Sequence, residues 1–463
     1  MPKIYSARWV LPIASPPIDN GAVLVDDSVI VAVGPRSDLQ TAFPHEPHED
    51  FGNAAILPGL INAHSHLELT IMRGFLEREE HDFFAWLKKL TIARLQMTDE
   101  DLFVSAACGA IEAARAGITC LGDSSSFAAQ SMRAITKAGL RAIVYQESFG
   151  PDPKLAEENG GKLRTQLDAM RPLETNLVRA GVSPHAPYTV SAPQLEIISR
   201  LALDEGLPVM MHAAESQAER QFLQDGAGPF AEGLKARGIE WRAPGVSTMR
   251  YLHDHGVLDA KPLLAHCINV DDDDLRLIKD AAAGIAHCPK SNAKLGHGRA
   301  PFASFIAQGI NVGFGSDSVA SNNVCDILEE ARFATLLARL SRGTGRRVSN
   351  DYASAGEAKA PVSAQQSLFT ATLGSARALR LDEQIGALRK GLQADIAIVN
   401  LAGSPHQPVR DPHDTLVFSA SGRDVLLTIV AGKEIYRNQR VLSVDEKDLQ
   451  SRLEHLSRKL DND

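Results

Sequence analysis

The 463-residue chain predicts an α/β fold: a distorted (β/α)8 barrel with a small β-sandwich built from both chain ends. Three observations carry that reading. Short apolar segments alternate with helical stretches of roughly 10 to 20 residues through the middle of the chain. Eight of those segments begin apolar and end in polar or ionisable residues. Stretches rich in β-branched residues, broken by Pro, Gly and Asn-Gly, flank this middle part on both sides.

Residues 1–56 form the first part of the predicted sandwich, with "IYSARWVLP", "GAVLVDD" and "SVIVAVGP" as its strands. The barrel is expected over 57–385. Its strand candidates are "AILPGLINAHSH", "ITCLGDSSS", "RAIVYQES", "VRAGVSPHA", "PVMMHAAE", "PLLAHC", "GIAHCPKSN" and "INVGFGSDS". Residues 386–440, with "ADIAIVNL" and "VLLTIVAGKEIYRN", complete the sandwich and bring the chain ends together. In 441–463, Leu449, Leu453, Leu456 and Leu460 fall on one helical stripe, which predicts a C-terminal helix docked on the body.

Composition narrows the function classes. A formal net charge of -9 argues against a nucleic-acid or anionic-membrane surface. No apolar run approaches the roughly 20 residues of a membrane helix, and no signal-peptide pattern opens the chain. The five cysteines form no C-x-x-C pair, so neither a disulfide framework nor a cysteine zinc site is expected. The expected compartment is the cytoplasm.

Side chains at i and i+2 of a strand share a face, so His64 and His66 both project from the end of the first barrel strand. Alone, such a pair is weak evidence, since a buried and an exposed histidine would look the same. Other strands end in matching chemistry, however. His212 ends strand five with Glu215 just beyond it, His266 ends strand six, and Asp317 ends strand eight. His64, His66, His212 and Asp317 can surround one divalent cation and leave a position open for water. Zinc is the expected ion, and iron suits the same donors. Each of these residues also has a structural alternative, a satisfied core histidine or a helix cap, which their joint position at barrel-strand ends disfavours. His287 either lines the mouth or packs in the core. His81, His253, His255, His406, His413 and His455 read as surface residues, and "NVDDDDLRL" as a helix cap rather than a calcium loop.

The motifs "LPGLINAHSH", "SPHAPYTVS", "HAAES", "LAHC", "HCPKSNAKLGHG", "GFGSDSVASNN" and "GALRKGLQADIAIVNL" occur in order, and together they resemble the amidohydrolase superfamily in its aminohydrolase branch. The resemblance spans roughly residues 5 to 440. It implies hydrolytic deamination of a heterocyclic amine with one cation. Asp317 would accept a proton from the water and His266 would orient it. Glu215 would protonate a ring nitrogen and then assist loss of ammonia. Strand four ends "VSPHAP" without the lysine that bridges two metals in binuclear relatives, so a mononuclear site is implied and His185 becomes a substrate contact. The resemblance also implies a homo-oligomer.

Two subgroups share further features. "IMRGFLEREEHDFFAWLKKL" is similar to the methylthioadenosine/adenosylhomocysteine deaminases, with Trp86 available to stack on a base or to pack in its helix. Those enzymes carry a ribose-binding glutamate nine residues after the tryptophan, where this chain has Leu95 and no nearby acid. "HSHLE" and the following "F-x-x-W-L" look similar to aminodeoxyfutalosine deaminases and make Glu68 a candidate substrate contact. Both subgroups imply removal of the 6-amino group of an adenine nucleoside. The alternatives are deamination or dechlorination of guanine, cytosine or s-triazine heterocycles, and a catalytically silent metal-binding barrel.

Overall fold

The two β-rich ends meet in one hydrogen-bonded sheet. In the computed structural model, which describes residues 2–340 and 361–460, the N-terminal strands are β1 (Lys3–Val10), β2 (Ile18–Asp26), β3 (Val29–Pro35), β4 (His48–Asp50) and β5 (Ala54–Pro58). The barrel strands follow as β6 (Leu60–Ser65), β7 (Ile118–Ser125), β8 (Arg141–Ser148), β9 (Val178–Pro184), β10 (Met210–Ala213), β11 (Leu263–His266), β12 (Gly284–His287) and β13 (Asn311–Phe314). The last four are β14 (Ile396–Asn400), β15 (Val425–Val430), β16 (Lys433–Arg437) and β17 (Arg440–Val441). The terminal sheet has the order β17-β16-β15-β14-β5-β1-β2-β3, with β4 on β1. Antiparallel β5–β14 pairing joins the two halves, and Tyr5, Val23, Ile56, Ile398 and Leu427 share one apolar core. A buried Arg141–Asp395 ion pair with contacts of 3.0 and 3.1 Å ties this sheet to the barrel.

The apolar run at 55–66, expected as one strand, is two. Its first half, Ala54–Pro58, belongs to the terminal sheet and only Leu60–Ser65 to the barrel. Gly59 makes the crossing, where a Cβ would stand 2.1 Å from Thr119 Oγ1. Periodicity cannot mark such a break, because both halves are buried throughout.

The barrel consists of two parallel four-stranded sheets, β6-β7-β8-β9 and β10-β11-β12-β13. It closes through single bridges, Val182–Val209 on one side and Ser65–Asp317 on the other. At the second seam Asp317 N–H donates to His64 C=O at 2.9 Å, so two of the expected ligands flank the closure itself.

Helices Phe83–Leu95 and Asp99–Arg115 follow β6. The first starts on Asp82, whose carboxylate accepts from Phe84 N–H and Ala85 N–H, and the second on a Thr98/Asp101 capping box. The acidic run caps a helix as expected, through Asp271 and Asp274. The C-terminal helix, Glu446–Leu460, does dock: Leu449 is buried, and Leu453, Leu456 and Leu460 pack on the cluster containing Leu69 and Trp86. The expected bounds 57–385 and 441–463 include 341–360 and 461–463, which lie outside the described residues. His406, expected at the surface, is instead buried 3.2 Å from Asp424. No helix among the described residues is long and apolar enough to cross a membrane.

Candidate active site at the C-terminal mouth of the barrel

His64, His66, His212, His266 and Asp317 come together where their strands end, and all are buried. His66 Nε2 lies 3.3 Å from His212 Nε2 and 3.5 Å from Asp317 Oδ1, and His64 Nε2 lies 3.4 Å from the same oxygen. The other carboxylate oxygen, Oδ2, accepts from Ser291 Oγ at 2.6 Å and Ser321 Oγ at 3.1 Å. Asp317 therefore turns one oxygen toward the rings and is held by the other. Ala214, His266, Cys267 and Asp317 all have positive φ, a costly conformation for non-glycine residues that concentrates here at the strand ends.

Hydrogen bonds fix the ring tautomers. His212 Nδ1–H donates to the His185 carbonyl at 2.9 Å, and His266 Nδ1–H to Asn292 Oδ1 at 2.8 Å. Each ring therefore presents an Nε2 lone pair to the cluster. Neither nitrogen of fully buried His64, nor Nε2 of His266, has a hydrogen-bond partner among the described residues. Burial holds His64 down to about 3 and lowers His212 and His266, which favours their neutral, ligating form, whereas the Glu147 and Asp317 carboxylates outweigh burial and raise His66. Burial alone would raise Asp317, but the His64, His266 and His66 rings outweigh it and keep the carboxyl well below its ordinary range. Facing lone pairs, orphaned buried nitrogens and an ionised carboxylate fit a divalent cation.

A cavity of about 470 Å³ opens from this cluster. Glu215 stands on its wall, 7% exposed, with Oε1 3.6 Å from His266 Nε2 and 3.7 Å from His297 Nε2. Its Oε2 accepts from Tyr188 Oη at 3.2 Å. Glu219 fixes the turn that carries it, accepting from the N–H groups of Ala214 and Glu215 at 2.8 and 3.0 Å.

The other candidates fall differently. His185 lines the cavity, its Nδ1 2.9 Å from Thr189 Oγ1 and its ring stacked on Phe149. Trp86 packs on Phe83 of its own helix, ring centroids 6.1 Å apart, and also lines the cavity. Glu68 does not line it. Its carboxylate accepts from Ser125 Oγ, Ser126 N–H and Phe127 N–H, beneath the wall, and desolvation raises its pKa. His287 packs on Phe302 and Phe314 away from the cavity. Leu95 is 72% exposed, whereas the neighbouring Arg94 faces inward.

Sequence reasoning left Glu147, Arg94, His297 and Tyr188 without roles. A signal for three of them was present. Glu147 closes the strand "RAIVYQES" just as the ligands close theirs, Tyr188 sits in the quoted "SPHAPYTVS", and His297 sits in the quoted "HCPKSNAKLGHG". Arg94 comes from a helix whose facing no local pattern reveals.

Comparison with known proteins agrees with this architecture. The Amidohydrolase family profile matches residues 55–435, and an Imidazolonepropionase-like composite domain of bacteria matches 21–45. A 5-methylthioadenosine/S-adenosylhomocysteine deaminase of Nitratidesulfovibrio vulgaris is 31% identical over 448 residues, covering 95% of this chain and 93% of the relative. One of the same name from Moorella thermoacetica is 29% identical over 444 residues, covering 95% of both. A crystal structure of an adenosine deaminase from Xanthomonas campestris with bound zinc superposes with a TM-score of 0.83 at 25% identity, covering 100% of this chain and 99% of that one. The chain belongs to the amidohydrolase family. The motif resemblance thus holds, and deaminases of adenine nucleosides are among its relatives.

Proposed function

We propose that the protein hydrolytically removes the 6-amino group of an adenine nucleoside, releasing ammonia and the inosine analogue. The observation that carries this reading is Glu215, a buried carboxylate on the wall of one cavity with the His64, His66, His212 and Asp317 cluster. The names of the relatives supply the class of substrate.

Those four residues would hold a single divalent cation, zinc by donor type with iron also suited, and it would supply Lewis acidity that makes a water nucleophilic near neutral pH. Asp317 Oδ1 would accept a proton from the attacking water. His266, its Nδ1–H fixed on Asn292, keeps Nε2 turned toward the reacting carbon and orients the oxygen. Glu215 would deliver its proton to a ring nitrogen, relay the proton of the new C–OH to the departing amine, and be recharged by the proton left on Asp317, so water and substrate give carbonyl and ammonia and both carboxyl groups return to their starting state. Trp86 and His185 hold the base. Glu68, with its oxygens engaged beneath the wall, is a support for Arg94 rather than a substrate contact.

The test is the adenine-to-hypoxanthine absorbance change with metal-loaded protein and adenosine, 5′-methylthioadenosine, S-adenosylhomocysteine or aminodeoxyfutalosine. Turnover of at least one is expected. Silence on all four, with turnover of guanine or a triazine, overturns the reading.

A further inference from the structure

The short helix Pro289–Lys294 follows β12 and carries two tethers of the site: Ser291 Oγ donates to Asp317 Oδ2, and Asn292 Oδ1 accepts from His266 Nδ1–H. Its C-terminal cap brings a third group to the same place. Gly296, at positive φ, lets the chain turn back so that His297 N–H donates to Asn292 C=O at 2.9 Å, a Schellman closure. That turn sets the His297 imidazole edge-on to Phe83, ring centroids 4.5 Å apart, with Nε2 3.7 Å from Glu215 Oε1. The side chain is 7% exposed, and Nε2 is buried without a hydrogen-bond partner among the described residues. An orphaned buried nitrogen is costly, and the steps assigned to Glu215, His266 and Asp317 give this one no task.

The donors around Glu215 decide what His297 can do. Tyr188 Oη donates to Oε2, so the transferable proton belongs on Oε1. Two nitrogens stand near Oε1. His266 Nε2, 3.6 Å away, presents a lone pair because its Nδ1–H is engaged by Asn292, so it can accept but not donate. No hydrogen bond among the described residues fixes the His297 tautomer, and its Nε2 is free to carry the hydrogen. Burial lowers the His297 pKa, which favours the neutral ring with its single N–H. Once Oε1 has given its proton to a ring nitrogen, His297 alone of the pair can donate to the new anion. The separation of 3.7 Å exceeds a hydrogen bond by about half an ångström, a gap that a small side-chain movement closes, and bonds to charged acceptors are shorter than neutral ones.

We infer that His297 is a positioning residue for Glu215: its Nε2–H donates to Oε1 after that oxygen has released its proton, which stabilises the carboxylate and keeps it aimed at the departing amine. One short helix with its cap then orients three working groups, Asp317 through Ser291, His266 through Asn292 and Glu215 through His297. The inference rests on Glu215 as the proton carrier of the proposed deamination and adds a residue to that role. No proton leaves His297, so the balance of the reaction is unaltered.

Two substitutions separate the ring from its N–H. His297→Phe keeps a ring against Phe83 and removes the donor, whereas His297→Gln keeps a donor. With metal-loaded protein and adenosine, 5′-methylthioadenosine or S-adenosylhomocysteine as substrate, His297→Phe lowers kcat by about 10- to 100-fold, the size of a hydrogen bond to a charged group. KM, metal content and inosine affinity by calorimetry stay within about twofold of wild type. His297→Gln recovers kcat to within about threefold of wild type. In a Glu215→Gln background His297→Phe lowers kcat by no more than about twofold further, because the anion it serves is gone. A His297→Phe protein with full kcat, a His297→Gln protein as slow as His297→Phe, or losses that multiply in the double variant overturn the inference. So does a His297→Phe protein that loses its ion or its inosine affinity, since the residue is then structural. Nucleoside turnover with an indifferent His297 sinks this inference alone. Absence of any nucleoside turnover sinks the parent reading with it.

Discussion

The cation end and the substrate wall of the cavity are built in opposite ways. The cation end hangs on β6, β10, β11 and the turn after β13, parallel strands locked by backbone hydrogen bonds and by the Ser65–Asp317 closure. Its side chains are polar, buried and individually tethered, as Asn292 tethers His266 and Ser291 tethers Asp317. The wall is made by two helices, Phe83–Leu95 and Pro229–Ala236, that present mostly apolar side chains and rest on other helices, including the C-terminal one. Such a division lets chemistry stay fixed while selectivity varies. Changes at the first end should strike kcat for every substrate, and changes at the wall should strike KM for some.

The largest effect belongs to the cation end. Asp317→Asn removes the anionic ligand, and we expect metal content to fall and kcat to drop by about 1,000-fold or more for all substrates. Metal analysis with steady-state kinetics reads both, and a variant that keeps its ion and its rate would break the comparison.

At the wall, Gly233 faces open space, since a Cβ there would meet nothing within 4 Å. Gly233→Leu should narrow the cavity and raise KM about tenfold for a nucleoside with a bulky 5′ arm, such as S-adenosylhomocysteine. Adenosine should be nearly unaffected. Equal losses on both would mean that this wall does not select.

A smaller effect is expected behind the wall. Leu453 is partly buried against the cluster that supports Trp86 and Leu90. Leu453→Ala should cost about 1 kcal/mol in denaturant unfolding and raise KM a few-fold while kcat stays constant.

The last lies under the cation end and concerns stability only, with turnover unchanged. Burial raises Glu330 from 4.5 to about 8, while Lys290 N–H and Asn322 Nδ2 donate to it. Because the folded pKa lies above the unfolded value, its contribution to stability is present below about pH 4.5 and is lost as pH climbs to about 8. Glu330→Gln should therefore match wild type in acid and melt several degrees higher at alkaline pH, as thermal denaturation across that range would detect.

The same division explains what could be read from sequence. Strand ends are local and periodic, so His64, His66, His212, His266 and Asp317 declared themselves by spacing, each closing an apolar run. The β5/β6 division escaped because both halves are apolar and only tertiary closeness at Gly59 separates them. Glu68 misled for a related reason: it follows the first ligand pair, but the short helix Leu67–Met72 turns it under the wall toward Ser125. Conversely, the cavity does have an acid on its lining in Glu147, more than 50 residues from Leu95 and on another strand. Helix rotation and strand adjacency decide such matters, and neither is written in a local pattern.

The central claim is that Glu215 moves the protons while the histidine and aspartate cluster holds the ion. Glu215→Gln tests it most directly, because the amide keeps the shape and loses the transferable proton. One equivalent of metal per chain, inosine binding within about twofold of wild type, and kcat lower by about 100- to 10,000-fold are expected. A variant with full turnover, or one whose loss is explained by a missing ion, would contradict it.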